Sequence, residues 1–145
     1  MPLIALTKSD GLVLNTPAGS ITGIYSTAFN TEEENRNAPG ARCVITTNVR
    51  GMSTYALAHP ARDVLEQIKA GIGKAKPQEF IILAAGDDIN AIQRSAVLQF
   101  EEIKRGDELL LLVHFNRHDG QSTQVLASAC AENKERLEAL STETE

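Results

Sequence analysis

His114 and His118 bracket three residues, a spacing that would put two imidazoles on one turn of a helix around a shared metal ion. On a strand the same pair stands about 13 Å apart, too far for one ion. The preceding run Leu109-Leu110-Leu111-Leu112-Val113 predicts a strand, so no metal site is expected there. Gly71-Ile72-Gly73-Lys74 has the residue types of a phosphate loop. It follows a predicted helix rather than a strand, however, and lacks the full Gly-x4-Gly-Lys-Ser/Thr spacing, so it reads as helix stop and linker. Asp87-Asp88, with Asp107 or Glu108, offers paired carboxylates, yet a hairpin turn accounts for the two aspartates. Cys43 and Cys130 match no zinc motif, have no arguable histidine partner, and read as small reduced core residues. Neither Gly-x-Ser-x-Gly nor His-Glu-x-x-His occurs. The expectation is a non-enzyme with no catalytic, metal or cofactor site.

The elements that would hold any site begin with a strand from Leu3 to Thr7 and a hairpin turn at Asp10-Gly11. Leu12-Val13-Leu14 starts the return strand, which Pro17 and Gly19 interrupt before Ile21 to Tyr25 resumes it. Thr27 to Ala41, with Glu32-Glu33-Glu34, Asn35, Arg36, Asn37, Pro39 and Gly40, predicts a long polar surface loop. Alternation then predicts a second hairpin, Cys43 to Val49 and Thr54 to Ala58, turning at Arg50-Gly51. Pro60 suits the first turn of a helix, and Ala61, Val64, Leu65, Ile68 and Ile72 share one helical face. His59 reads as part of that helix start rather than a proton carrier.

The same order then starts again. Phe80 to Leu83 matches Leu3 to Leu6, Asp87-Asp88 falls where Asp10-Gly11 fell, and Ile89 to Ile92 matches the return strand. Leu98 to Ile103 aligns with Gly19 to Ile24, Leu109 to Phe115 with the strand around Val44, and Ser122 to Leu126 with Ser53 to Leu57. A closing helix is predicted from Ala129 to Leu140, with Ser128 as its N-cap. The long loop of the first copy is replaced in the second by Lys104-Arg105-Gly106-Asp107. The expected fold class is α+β, mainly antiparallel β. Two pseudo-symmetric units, each of two β-hairpins plus a short C-terminal helix, occupy 1–72 and 80–141, with a linker over 73–79 and a loose tail over 142–145. Read alone, Asp88 to Arg105 also fits an amphipathic helix with Asp87 as N-cap and Gly106 as its stop; the repeat favours strands.

Composition narrows the function classes. In 145 residues, 42% hydrophobic and 23% charged content is that of a folded protein rather than a disordered one. A net charge of −5 argues against broad contact with a phosphate backbone, and no tryptophan with 4% aromatics leaves few bases a place to stack. Nucleic acid is therefore an improbable partner, although Lys69, Lys74 and Lys76 form a small basic group, with Arg94, Lys104, Arg105 and Arg117 the next. No apolar run approaches the roughly 20 residues of a membrane span, and the first residues lack the pattern of a signal peptide. A cytoplasmic or virion location, without secretion through a signal peptide, is expected.

Residues 3–70 resemble the small bacterial flagellar proteins of the FlbD type. The likeness lies in Ile4-Ala5-Leu6-Thr7 with Asp10-Gly11, Ile21-Thr22-Gly23-Ile24, Val44-Ile45-Thr46, Tyr55-Ala56-Leu57 and Val64-Leu65-Glu66-Gln67-Ile68. It covers about half the chain and implies a small non-enzymatic protein tied to motility or its regulation. The doubling and the acidic loop depart from that pattern.

The leading expectation is a structural or assembly protein that packs against itself or a larger particle, for example as a capsid-stabilising viral or phage component. The alternative is a small regulatory or nucleic-acid-binding module. Interaction is expected at Glu32, Glu33, Glu34, Asn35 and Arg36 on the loop, and at Leu109, Leu111, Val113 and Phe115. The leucine strand is apolar on both faces and needs cover from the closing helix on one side and from the partner unit or another subunit on the other.

Overall fold

The computed structural model describes residues 3–30, 32–37, 39–49, 53–72, 80–116 and 121–143. The fold is α+β and mainly antiparallel β, as the alternation of β-branched residues predicts. Its first half contains β1 (Leu3–Thr7), β2 (Val13–Pro17), a 3-10 turn (Ala18–Ser20), β3 (Ile21–Ser26), α1 (Glu32–Asn37), β4 (Cys43–Thr47), β5 (Ser53–Leu57) and α2 (Ala61–Ile72). The second contains β6 (Phe80–Ala85), β7 (Asp88–Gln93), a 3-10 turn (Arg94–Ala96), β8 (Val97–Arg105), β9 (Glu108–Asn116), β10 (Ser122–Ser128) and α3 (Ala131–Glu143). Both 3-10 turns are entered and left through extended residues, and each is followed by a register shift against the next strand, between Ile21 and Gly23 and between Val97 and Gln99.

The segment 88–105 is therefore strand, turn and strand. The residues that could have capped a helix there are used in hairpin turns instead, Asp87 beside Gly86 at φ 61° and Gly106 at φ 66°. Several boundaries move from their predicted places. Asp88 belongs to β7, so the turn is Gly86-Asp87 rather than Asp87-Asp88. β2 continues through Pro17, and β8 continues through Arg105, which reduces the predicted second loop to Gly106-Asp107. The predicted polar loop contains α1, whose first turn carries Glu32, Glu33 and Glu34 where a helix N-terminus favours negative charge. Ser128 ends β10 instead of capping a helix, and α3 runs on into the predicted tail as far as Glu143. The turn at Arg50-Gly51 and the linker 73–79 lie outside the described residues.

Strands β5-β4-β3-β7-β6 form one sheet, β10-β9-β8 a second, and β1-β2 a two-stranded ribbon. The ribbon leans on β5 through a bridge between Lys8 and Leu57, with Ser9 N–H on the Ala56 carbonyl and Ala58 N–H on that of Thr7. β6 packs beside β10, where Gly86 N–H donates to the Ser128 hydroxyl. The strands thus follow one spatial order, β2-β1-β5-β4-β3-β7-β6-β10-β9-β8. The halves meet at β3 and β7, which pair antiparallel over Gly23↔Ile92 and Ile24↔Ala91. A Cβ at Gly23 would meet the hydroxyl end of the Tyr25 side chain, which would have to move to admit it.

Two cores result. The first gathers Leu6, Ile21, Ile24, Ile45 and Leu57 under the α2 residues Ala61, Val64, Leu65 and Ile68, the face that helical spacing predicts. Phe80 and Ala91 close it from the second half, with Ile82 and Ile89 packed alongside. The second gathers Ile81, Leu83, Ile92, Leu111, Val113 and Phe115 with Leu137 and Leu140 of α3. Along β6 and β7, alternate side chains therefore serve different cores, as the two-residue period of a strand dictates.

One buried group is left over: the Thr47 hydroxyl, 1% exposed, has no hydrogen-bond partner among the described residues. Replacing it with a methyl removes an unsatisfied dipole at nearly constant shape. Thr47→Val is expected to stabilise the protein by about 1 kcal/mol, seen as a higher midpoint in urea unfolding.

Candidate interaction site

The junction between the halves is built from polar groups that sequence reading assigned to turns or to no role. Asp88 at the start of β7 is the N-terminal acceptor of α2: its Oδ2 takes the Ala61 N–H at 2.8 Å and its Oδ1 the Arg62 N–H at 2.9 Å. The Arg62 side chain folds back onto the same carboxylate and onto the Asp87 carbonyl. Asn90, 1% exposed, accepts the Ser26 N–H at 2.6 Å and donates to the Leu126 carbonyl at 2.7 Å, tying β3 to β10. Asn133 on α3 accepts from Ala84 N–H and donates to the carbonyls of Ala84 and Ser128. Every buried amide atom here is used, which removes the cost of burying it. Between the sheets, the rings of Tyr25 and Phe115 stack at 5.7 Å.

An open groove of about 300 Å³ lies over this junction, between the chain following β3 and strand β10. Ser26, Asn30 and Glu34 line one wall, and Thr123, Gln124 and Val125 the other. Arg105, at the end of β8, sits over the Phe29 ring and donates to the Phe29 carbonyl at 2.7 Å. The segment predicted to reach a partner is thus anchored to its own chain at Phe29. Glu32, Glu33, Glu34 and Arg36 are exposed on α1, and Glu34 faces the groove. Asn35 lies on the same helix, with its side chain outside the described set.

The other predicted residues separate. Leu111, Val113 and Phe115 are buried in the second core with residues of β6, β7 and α3, and Phe115 also borders the groove. Leu109 is 41% exposed at the far end of β9. The cover expected from helix and partner unit comes from both, on this one face.

Chemically the groove sets hydroxyls, amides and the Glu34 carboxylate beside the apolar surfaces of Tyr25, Val44, Phe115 and Val125. His114 meets Glu101 at 3.1 Å on the β8–β9 sheet, while His118 lies outside the described residues. His59 accepts the Thr7 N–H at Nε2, locking the approach to α2 onto β1. Among the described residues no group of three His, Cys, Asp or Glu is arranged to hold a metal ion, and no helix is long and apolar enough to cross a membrane. Compared with protein-family models, curated proteins and solved structures, the chain matches none.

The Cys43 thiol, buried in the first core, is pushed up to about 12 by burial and, next, by the Asp88 charge. The neutral thiol is thus favoured in the folded state. Its contribution to stability is complete below the ordinary value of 9.0 and is lost as pH rises from there toward 12. Alkylation at pH 8 is expected to modify Cys43 only after denaturant is added, as mass spectrometry of the tryptic peptide would record. Asp88→Ala is expected to cost about 1–2 kcal/mol, through the lost cap and its interaction with the helix dipole. Hydrogen exchange should locate the effect at the amides of Ala61 and Arg62.

Proposed function

We propose that the chain is a non-enzymatic assembly subunit, made from two copies of one unit, that packs against itself or onto a larger particle such as a virus or phage shell. The duplication is supported by the order β-β-turn-β, then β-β-α, recurring in both halves. It is supported further by the register shift that follows each 3-10 turn. Those shifts equate Val97 with Ile21 and Phe100 with Ile24, three residues from the alignment read off the sequence. The difference arises because strand pairing, which the sequence pattern does not show, sets this correspondence.

The observation that carries the assembly reading is the placement of apolar surface. Among the described residues, the four most exposed large apolar ones, Leu3, Leu12, Val13 and Leu98, lie on or beside the two strands at the ends of the spatial order, β2 and β8. Unpaired, apolar strand edges favour pairing with another chain. The likeness of the first half to small flagellar proteins agrees with a role without catalysis. Light scattering across a concentration series is expected to give a mass rising above the 15.7 kDa of one chain. A strict monomer at the highest concentration, binding no particle, overturns the reading.

A further inference from the structure

The contact between the two halves uses one surface from each. From the second half comes the β6–β7 hairpin, whose Phe80, Ile82, Ile89 and Ala91 side chains pack into the first core. From the first half comes the seat that receives it, bounded by Ile21 and Ile24 of β3 and by α2, with β7 paired along the β3 edge. Each half, however, has both surfaces. Through the pairing registers of β1 with β2 and of β6 with β7, the hairpin residues Phe80, Ile82, Ile89 and Ala91 correspond to Leu3, Ala5, Val13 and Asn15. Those four lie on the outer face of the first hairpin, where Leu3 is 60% and Val13 57% exposed. Likewise Ile21 and Ile24 correspond to Val97 and Phe100. These line an open groove of about 340 Å³ between β8 and α3, with Leu98, Leu137 and Leu140 beside them. One hairpin and one seat are therefore satisfied inside the chain, and one of each is left open at its two ends.

The geometry points to a head-to-tail contact in which the β1–β2 hairpin of one copy seats in the β8–α3 groove of the next, β2 pairing antiparallel with β8. The inference rests on the assembly reading and on the equivalence of the halves, and it names the surface and the partner, a second copy of this chain. Transferring the internal register predicts Gln99↔Thr16 and Phe100↔Asn15, the counterparts of Gly23↔Ile92 and Ile24↔Ala91. Among the described residues, β2 and β8 each pair along one edge only, so both ladders have room for the added strand. The charges of β8, Glu101, Glu102, Lys104 and Arg105, fall beyond that register, leaving its uncharged start for the contact. Leu3, Val13 and Leu98 would leave water together. Because the two surfaces differ, the contact does not close on itself in a dimer and propagates to a ring or a filament.

Two substitutions at exposed positions test this without touching either core. Val13→Glu spoils the hairpin by placing a carboxylate on its apolar outer face, and Leu98→Glu spoils the groove. Wild-type protein is expected to assemble beyond the dimer with rising concentration, and each variant alone to remain a monomer by light scattering. Mixed in equal amounts, the variants should give a species of twice the 15.7 kDa chain mass and nothing larger, because the good hairpin of one meets the good groove of the other. If the wild type assembles but the variants also assemble alone, or fail to dimerise when mixed, the hairpin contact is overturned while the assembly reading stands. A wild type that stays monomeric throughout removes both.

Discussion

The hairpin of β6 and β7 is the wall on which both halves of the molecule are built. Its odd and even residues face opposite ways, so Ile89 and Ala91 serve the first core while Asn90 and Ile92 turn to the second half. β6 divides in the same manner, Phe80 and Ile82 to one side, Ile81 and Leu83 to the other. A unit of about 70 residues buries too little of its surface to be securely stable alone. Sharing one wall lets each half count the other's side chains as its own core. Slipping β7 by one residue would exchange the two sets and put Asn90 in the first core without partners.

The buried polar groups hold that register. Asp88, Asn90 and Asn133 each bind backbone atoms of an element far away in sequence, and each is matched to its partners at hydrogen-bond distance. A displaced strand would leave these amides and carbonyls dry and unsatisfied, a penalty of roughly 1–3 kcal/mol for each group. Apolar contacts supply most of the attraction in such a fold, but they are non-directional. The asparagines and the aspartate select one arrangement of the halves from the several that hydrophobic burial alone would tolerate.

The same logic bears on function. The groove beside α1 mixes polar and apolar lining, while the most exposed large apolar residues among those described gather at the two ends of the strand order. Arg105 ties Phe29, shortly before α1, to the end of β8.

By itself the sequence determined the order of the ten strands and of the two longer helices, though not α1 or several of the boundaries. Alternating β-branched residues can satisfy their backbone and bury one side only as strands, and the Ala61-to-Ile68 spacing buries one face only as a helix. Even the segment 88–105, whose local pattern suits a helix, was legible from the recurrence of that order. Tertiary structure alone decided which strands meet. Nothing local distinguishes Gly23 facing Ile92 from other pairings, and Asp88 reads as a turn residue until α2 is placed against it. The leucine strand shows the same division: its two-faced apolarity was written in the residues, but the assignment of Leu111, Val113 and Phe115 to an internal core came from β6, β7 and α3. Those partners lie tens of residues apart in the chain, where composition and period carry no information about contact.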